Sequence, residues 1–186
     1  PVAELYRQAG ILNNAERTLE ELVHELSLLP LAFQPDSNWH YSLGIDVAAR
    51  LIEIISGQAL EQFLKENIFD PLGMVDTGFS VDPEEQHRIA AMYGLPDLCS
   101  PKMTMSKLFD AWSSGFNERI DVSATYPASK SVAFTRGGHG LFSTSWDYLR
   151  FSQMLLNEGE LAGVRILARK TVNLMHTNYL QDDLLP

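Results

Sequence analysis

Tyr41 is the residue whose type and setting fit it best for chemistry. It stands in the run Trp39-His40-Tyr41-Ser42-Leu43, where the polar loop Gln34-Pro35-Asp36-Ser37-Asn38 gives way to an amphipathic pattern. A phenol at the mouth of a rigid helix is well held, because its backbone cannot wander. To act as a base near neutral pH it needs help. A free tyrosine titrates near ~10, and lowering that by about three units takes roughly 4 kcal/mol, which neighbouring ammonium groups can supply. Taken alone, the residue also has a plainer reading: a ring packed at a helix start with its hydroxyl bonded to backbone. On its residues alone, Gly137-Gly138-His139-Gly140 reads as a tight turn whose glycines permit close backbone approach. As the base of a Ser-His-Asp triad, His139 lacks a nucleophile elbow. Ala111-Trp112-Ser113-Ser114-Gly115 comes nearest, without a strand-turn-helix frame around it. His24, His40, His87 and His176 are dispersed without ligand spacing, which argues against a metal site.

The element that must position Tyr41 is the helix behind it. Leu43, Val47, Leu51, Ile54 and Ile55 fall on one face and read as the buried stripe, with Asp46, Arg50 and Glu53 facing away and Gly57 supplying the stop. Upstream, Pro1 to Gly10 reads as a short helix closed by glycine. Thr18-Leu19-Glu20-Glu21 is a capping box for a second, with Leu19, Leu22, Val23 and Leu26 inward and Pro30 beyond its end. Ala59 to Ile68 makes another, stopped by Asp70-Pro71, and Asp82-Pro83-Glu84-Glu85 reads as a helix start. From Tyr93-Gly94 to Arg136 the composition is that of long loops. Thr144-Ser145-Trp146-Asp147 is a further capping box, followed by Tyr148, Phe151, Met154 and Leu155 at helical spacing up to Gly159. A last helix runs from about Ala168 to His176.

At 186 residues and 45% hydrophobic, the chain can bury one respectable core. The net charge of −10, with basic residues scattered singly, argues against nucleic acid and anionic membranes as partners. Its lone cysteine, Cys99, excludes an internal disulfide, and the apolar stretches are too short and too interrupted by charge to span a bilayer. Pro1 looks like a mid-protein start and Leu184-Leu185-Pro186 like a cut end.

Trp39-x-Tyr41-Ser42, a helix ending in Ser56-Gly57, and Pro71-Leu72-Gly73-Met74 with Thr77 soon after together resemble the β-lactamase and transpeptidase-like serine hydrolases. Within that group the chain is most similar to the carboxylesterases of class C β-lactamase fold (the family VIII type), which carry Tyr-Ser-Leu where the lactamases have Tyr-x-Asn. The resemblance runs from about Leu19 to about Met175. It implies a predominantly α-helical fragment, with little sheet, of an α+β fold, and residues 1–186 forming a single partial domain. In the resembled proteins a Ser-x-x-Lys serine attacks the carbonyl while the lysine and tyrosine manage its proton, so the resemblance casts Tyr41 as catalytic. Trp39, Leu43, Gly138 and His139 become substrate-binding candidates, and no cofactor or metal is implied. Leucine at position 43 cannot offer the amide that asparagine would, which leans the substrate towards esters over β-lactams. Neither Ser-x-x-Lys nor a Lys-Thr-Gly motif is present. Cys99-Ser100-Pro101-Lys102 and Thr104-Met105-Ser106-Lys107 are accidental near misses, and Lys170-Thr171 is followed by Val172. The expectation is therefore part of an acyl-enzyme-forming serine hydrolase, inactive by itself, acting in the complete protein on a small ester or β-lactam. The main alternative is a non-catalytic module that binds peptide or acyl ligands; a small independent esterase built around Ser113 is a third reading.

Overall fold

The computed structural model describes residues 2–11, 17–93, 119–120 and 135–179. Helix α1 (Val2–Gln8) ends before Gly10, and α2 (Leu19–Ser27) begins with the expected capping box. Thr18 Oγ1 accepts the Glu21 N–H at 3.2 Å, and the Glu21 carboxylate accepts the Thr18 N–H at 2.8 Å. The hydrogen bonds from Thr18 hold the Glu21 carboxyl below the usual carboxylate range. Helix α3 (Gly44–Ser56) stops at Gly57, φ 70°. Buried Ile11, Leu19, Leu22, Ala49, Leu60 and Phe79 join these helices into one cluster, with Leu43 and Ile52 packed against it.

Helix α4 (Leu60–Leu64) passes through a π-helical turn (Lys65–Phe69) into α5 (Asp70–Leu72). Asp70-Pro71 therefore does not stop the helix as the sequence reading had it. The wider π turn lies just ahead of Pro71, where its ring would otherwise strike the carbonyl four residues back. Gly73 makes the stop instead, at φ 64°, with its N–H on Asp70 O at 3.0 Å. Phe69, Leu72 and Met74 then pack with Met154 in a second cluster, which α6 (Ser145–Leu156) shares. Partly buried Leu64 touches both clusters.

Asp82-Pro83-Glu84-Glu85 leads only to a single 3-10 turn (Gln86–Arg88), because Ile89 is already extended. Strand β1 (Met92–Tyr93) pairs antiparallel with β2 (Arg119–Ile120), within the stretch that reads as loop; the rest of that stretch lies outside the described residues. After α6, β3 (Glu160–Leu161) and β4 (Val164–Arg165) form a hairpin, and α7 (Arg169–Met175) occupies the span expected for the last helix.

The largest departure from expectation is the orientation of α3. Its apolar stripe is uncovered: Val47, Leu51, Ile54 and Ile55 are all exposed, Ile55 at 83%. Asp46 and Ala49 are buried instead, and Leu43 alone of the expected stripe packs against the core. The inward polar groups have partners. Glu53 accepts the Leu60 N–H at 3.1 Å, serving the start of α4, where Ala59 provides no side-chain cap. Arg50 bridges Glu20 at 2.8 Å and Glu53 at 3.0 Å.

Candidate active site

Tyr41 lies just ahead of α3 and is 76% exposed, with Trp39 beside it in sequence at 54%. Among the described residues the Tyr41 hydroxyl has no hydrogen bond. Leu43 caps α3 through its backbone: its carbonyl accepts the Val47 N–H at 3.1 Å, while its side chain drops into the first cluster. The opening of α3 is thus anchored on one side by Leu43 and leaves the phenol facing outward.

The glycine turn is seated on the first turns of the same helix. Asp46 Oδ1 accepts the Gly137 N–H at 3.0 Å and the Gly138 N–H at 3.5 Å. Approach is so close that a Cβ on Gly137 would stand 2.4 Å from Ile45 O and 2.8 Å from Ala49 Cβ, so only glycine fits there. Preceding it, buried Arg136 donates to Arg17 O at 2.5 Å and to Thr135 O at 3.0 Å. Burial pushes the Arg136 guanidinium below the usual arginine range, against the favourable charge of Asp46. Gly138 and His139 sit at the surface. Partial burial pushes the His139 imidazole below the usual histidine range, with Asp46 opposing the shift and Arg136 adding to it.

A second carboxylate holds the segment after Met74. Asp147, fully buried, accepts the Asp76 N–H at 2.8 Å and the Thr77 hydroxyl at 2.9 Å. Only half of the expected capping box at Thr144 is therefore formed. The Asp147 N–H reaches Thr144 Oγ1 at 3.2 Å, but the carboxylate is drawn to the segment after Met74. Gly78 and Phe142 exchange backbone hydrogen bonds at 3.1 and 2.8 Å, which ties the segment that follows Met74 to the segment that follows the glycine turn. Asp76 is held on its outer side by Arg88 at 2.9 and 3.1 Å, which keeps its carboxyl below the usual range.

The structure thus places Trp39, Tyr41 and Leu43 at the opening of α3 and brings Gly138 and His139 to its first turn. Sequence reasoning missed Asp46, which it turned to solvent, and the tertiary use of Asp147. Ser100, Lys102, Ser106, Lys107, Cys99 and Ser113 lie outside the described residues. Among the described residues no cluster of His, Cys, Asp or Glu could hold a metal ion, and no helix is long and apolar enough to cross a membrane.

A family model described as Beta-lactamase matches residues 4–184. The chain belongs to the beta-lactamase family. It is similar to protein Rv1367c of Mycobacterium tuberculosis, with 37% identity over 158 residues, covering 85% of this chain and 35% of that protein. It is also similar to a lovastatin esterase of Penicillium rubens, with 33% identity over 149 residues, covering 80% of this chain and 34% of the esterase. Among solved structures it superposes on EstCE1, a hydrolase with promiscuous acyltransferase activity, at TM-score 0.70 and 26% identity, covering 94% of this chain and 45% of that one. The fold is accordingly beta-lactamase/transpeptidase-like, and the family, which includes esterases and acyltransferases, is of serine-hydrolase type. The chain spans about a third of the length of the curated relatives it matches.

Proposed function

We propose that this beta-lactamase-family chain is the tyrosine-bearing, mostly helical part of a serine hydrolase that works through an acyl-enzyme on small esters, with β-lactams as poorer substrates. Tyr41 is the proton-handling group, and Trp39, Leu43, Gly138 and His139 border the acyl site. The nucleophilic serine and its lysine belong to the part of the protein outside this chain. In the acylation step the serine oxygen bonds to the ester carbonyl carbon while its proton passes to the tyrosine–lysine pair. Collapse of the tetrahedral adduct breaks the ester C–O bond, and the alcohol leaves with that proton. Water then repeats the sequence on the acyl-enzyme.

The observation that carries this reading is the state of Tyr41. A tyrosine kept only for packing buries its ring and bonds its hydroxyl to backbone. This one does neither, although the helix behind it is anchored at Leu43 and Asp46. The uncovered stripe of α3 supports the reading further, since an apolar band of that kind marks a face made for contact. We place the remainder of the fold against it.

The test is Tyr41→Phe in the complete protein. Removing the hydroxyl of an exposed ring leaves stability within ~0.5 kcal/mol, and loss of a general acid–base group lowers kcat roughly 10²–10⁴-fold. A folded Tyr41→Phe enzyme with near-normal kcat overturns the assignment. The chain by itself is expected to show no burst of acylation with p-nitrophenyl esters; stoichiometric labelling of one of its serines by a fluorophosphonate contradicts the placement of the nucleophile.

A further inference from the structure

Asp46 carries a charge where charge is expensive: its side chain is 2% exposed. The groups around it account for its being there. One oxygen collects the N–H groups of Gly137 and Gly138, and the charges of Asp46 and buried Arg136 attract one another. The turn and the helix also meet backbone to backbone, at the point where a Gly137 Cβ would reach Ile45 O. No flexible side chain intervenes at that contact to absorb a displacement. The Asp46 hydrogen bonds span 91 and 92 residues of sequence, from the helix behind Tyr41 to the turn that presents Gly138 and His139.

From this geometry we infer that Asp46 is a positioning residue for acyl transfer: it clamps the Gly137–His139 turn to the first turn of α3, so that the pocket border and the Tyr41 phenol hold one fixed relative placement. The inference rests on the site proposed above. It assigns Asp46 no contact with substrate. Its consequence is selectivity, because a turn released from α3 changes the space offered to the acyl chain.

The experiment uses the complete protein and Asp46→Asn, which keeps the size and one acceptor oxygen but drops the charge. The first readout is the ratio of kcat/KM for p-nitrophenyl acetate to that for p-nitrophenyl octanoate. The ratio does not depend on how much of the protein is folded. It is expected to change about tenfold, as the turn loosens when the bond to Asp46 loses its charge. The second readout is the Gly137 and Gly138 amide proton resonances, which are expected to move upfield in Asp46→Asn. An unchanged ester ratio with unmoved amide resonances overturns the inference and leaves Asp46 a purely structural group. If Asp46→Asn does not fold, amide hydrogen exchange of the unmodified protein decides. Gly137 is expected to be protected well beyond an exposed turn, and exchange at the rate of a free loop refutes the clamp. An intact kcat in Tyr41→Phe would remove the site reading while the amide resonances and exchange still judge the clamp, so the two failures are distinguishable.

Discussion

Replacing Gly137 by alanine tests the contact on which the site geometry depends. The new methyl carbon would stand 2.4 Å from Ile45 O and 2.8 Å from Ala49 Cβ, whereas real Cβ atoms essentially never come closer than 3.0 Å. The turn must therefore retreat from α3 by roughly 0.6 Å at least, since neither the Ile45 carbonyl nor the Ala49 methyl can swing aside. A retreat of that size stretches the Gly137 N–H bond to Asp46, 3.0 Å in the structure, to about 3.6 Å, beyond hydrogen-bond range. Overpacking costs about 1–3 kcal/mol, and loss of a hydrogen bond to a buried carboxylate about 1.5–3 kcal/mol. The expected loss of unfolding free energy is thus ~2.5–6 kcal/mol, read from urea titration of the complete protein. Gly44→Ala is the control. No atom lies within 4 Å of its Cβ position, so it is expected to stay within ~1 kcal/mol of the parent and on the stabilising side. A Gly137→Ala protein that unfolds with the parent, or with the Gly44→Ala control, would show that the turn does not press on α3.

Three further expectations follow from the same groups. Asp147→Ala strands the Asp76 N–H and leaves the Thr77 hydroxyl only Ser143 as partner, and is expected to cost ~1–3 kcal/mol in urea titration, with Asp147→Asn costing less; an effect under ~0.5 kcal/mol contradicts the role given to this carboxylate. His139 is held below its unfolded value of about 6.5, so the folded state takes up that proton later than the unfolded chain does. Its contribution to stability is then complete above ~6.5 and is lost as pH falls towards the folded value. His139→Gln is expected to flatten the fall in urea midpoint between pH 7.5 and pH 5, and an unchanged slope argues against it. Leu43→Asn in the complete protein adds an amide where leucine has none, and should raise β-lactam over ester kcat/KM about tenfold for ~1.4 kcal/mol; a flat ratio leaves Leu43 as a core residue alone.

The features that were legible in the sequence are those decided within a few residues. The Thr18 capping box, the stop at Gly57, and the helices at Ser145 and Arg169 rest on local hydrogen bonds and spacing, and all are formed. The π turn was not legible, because nothing in Lys65–Phe69 distinguishes it from ordinary helix until Pro71 is accommodated. Asp46 and Asp147 were misjudged for a related reason. Their partners lie 91 and 71 residues away along the chain, and no periodicity reports a carboxylate that serves a distant backbone N–H. Of the candidate site, Trp39, Tyr41 and Leu43 came together because they are neighbours in sequence. Gly138 and His139 were joined to them only by resemblance, and the residue that makes the connection in space went unnoticed.

The reversed burial of α3 has a more instructive cause. Hydrophobic periodicity identifies which face of a helix is apolar, but it does not say which neighbour covers that face. In the described residues the covered face belongs to Asp46, Ala49 and Glu53, since there the helix meets N–H groups at Gly137, Gly138 and Leu60 that need acceptors. The apolar face, from Val47 to Ile55, meets none of them. A stripe of that regularity has no physical reason to exist on a helix that solvent alone would bathe, because each exposed isoleucine or leucine forgoes about 1.5–3 kcal/mol of burial. Both faces of α3 are thus built for contact, one polar and satisfied in the described residues, one apolar and open. In a chain that spans about a third of its relatives' length, this is the pattern expected of a helix that is central to the complete fold. On the function proposed above, such a helix would give the phenol at its mouth a rigid support.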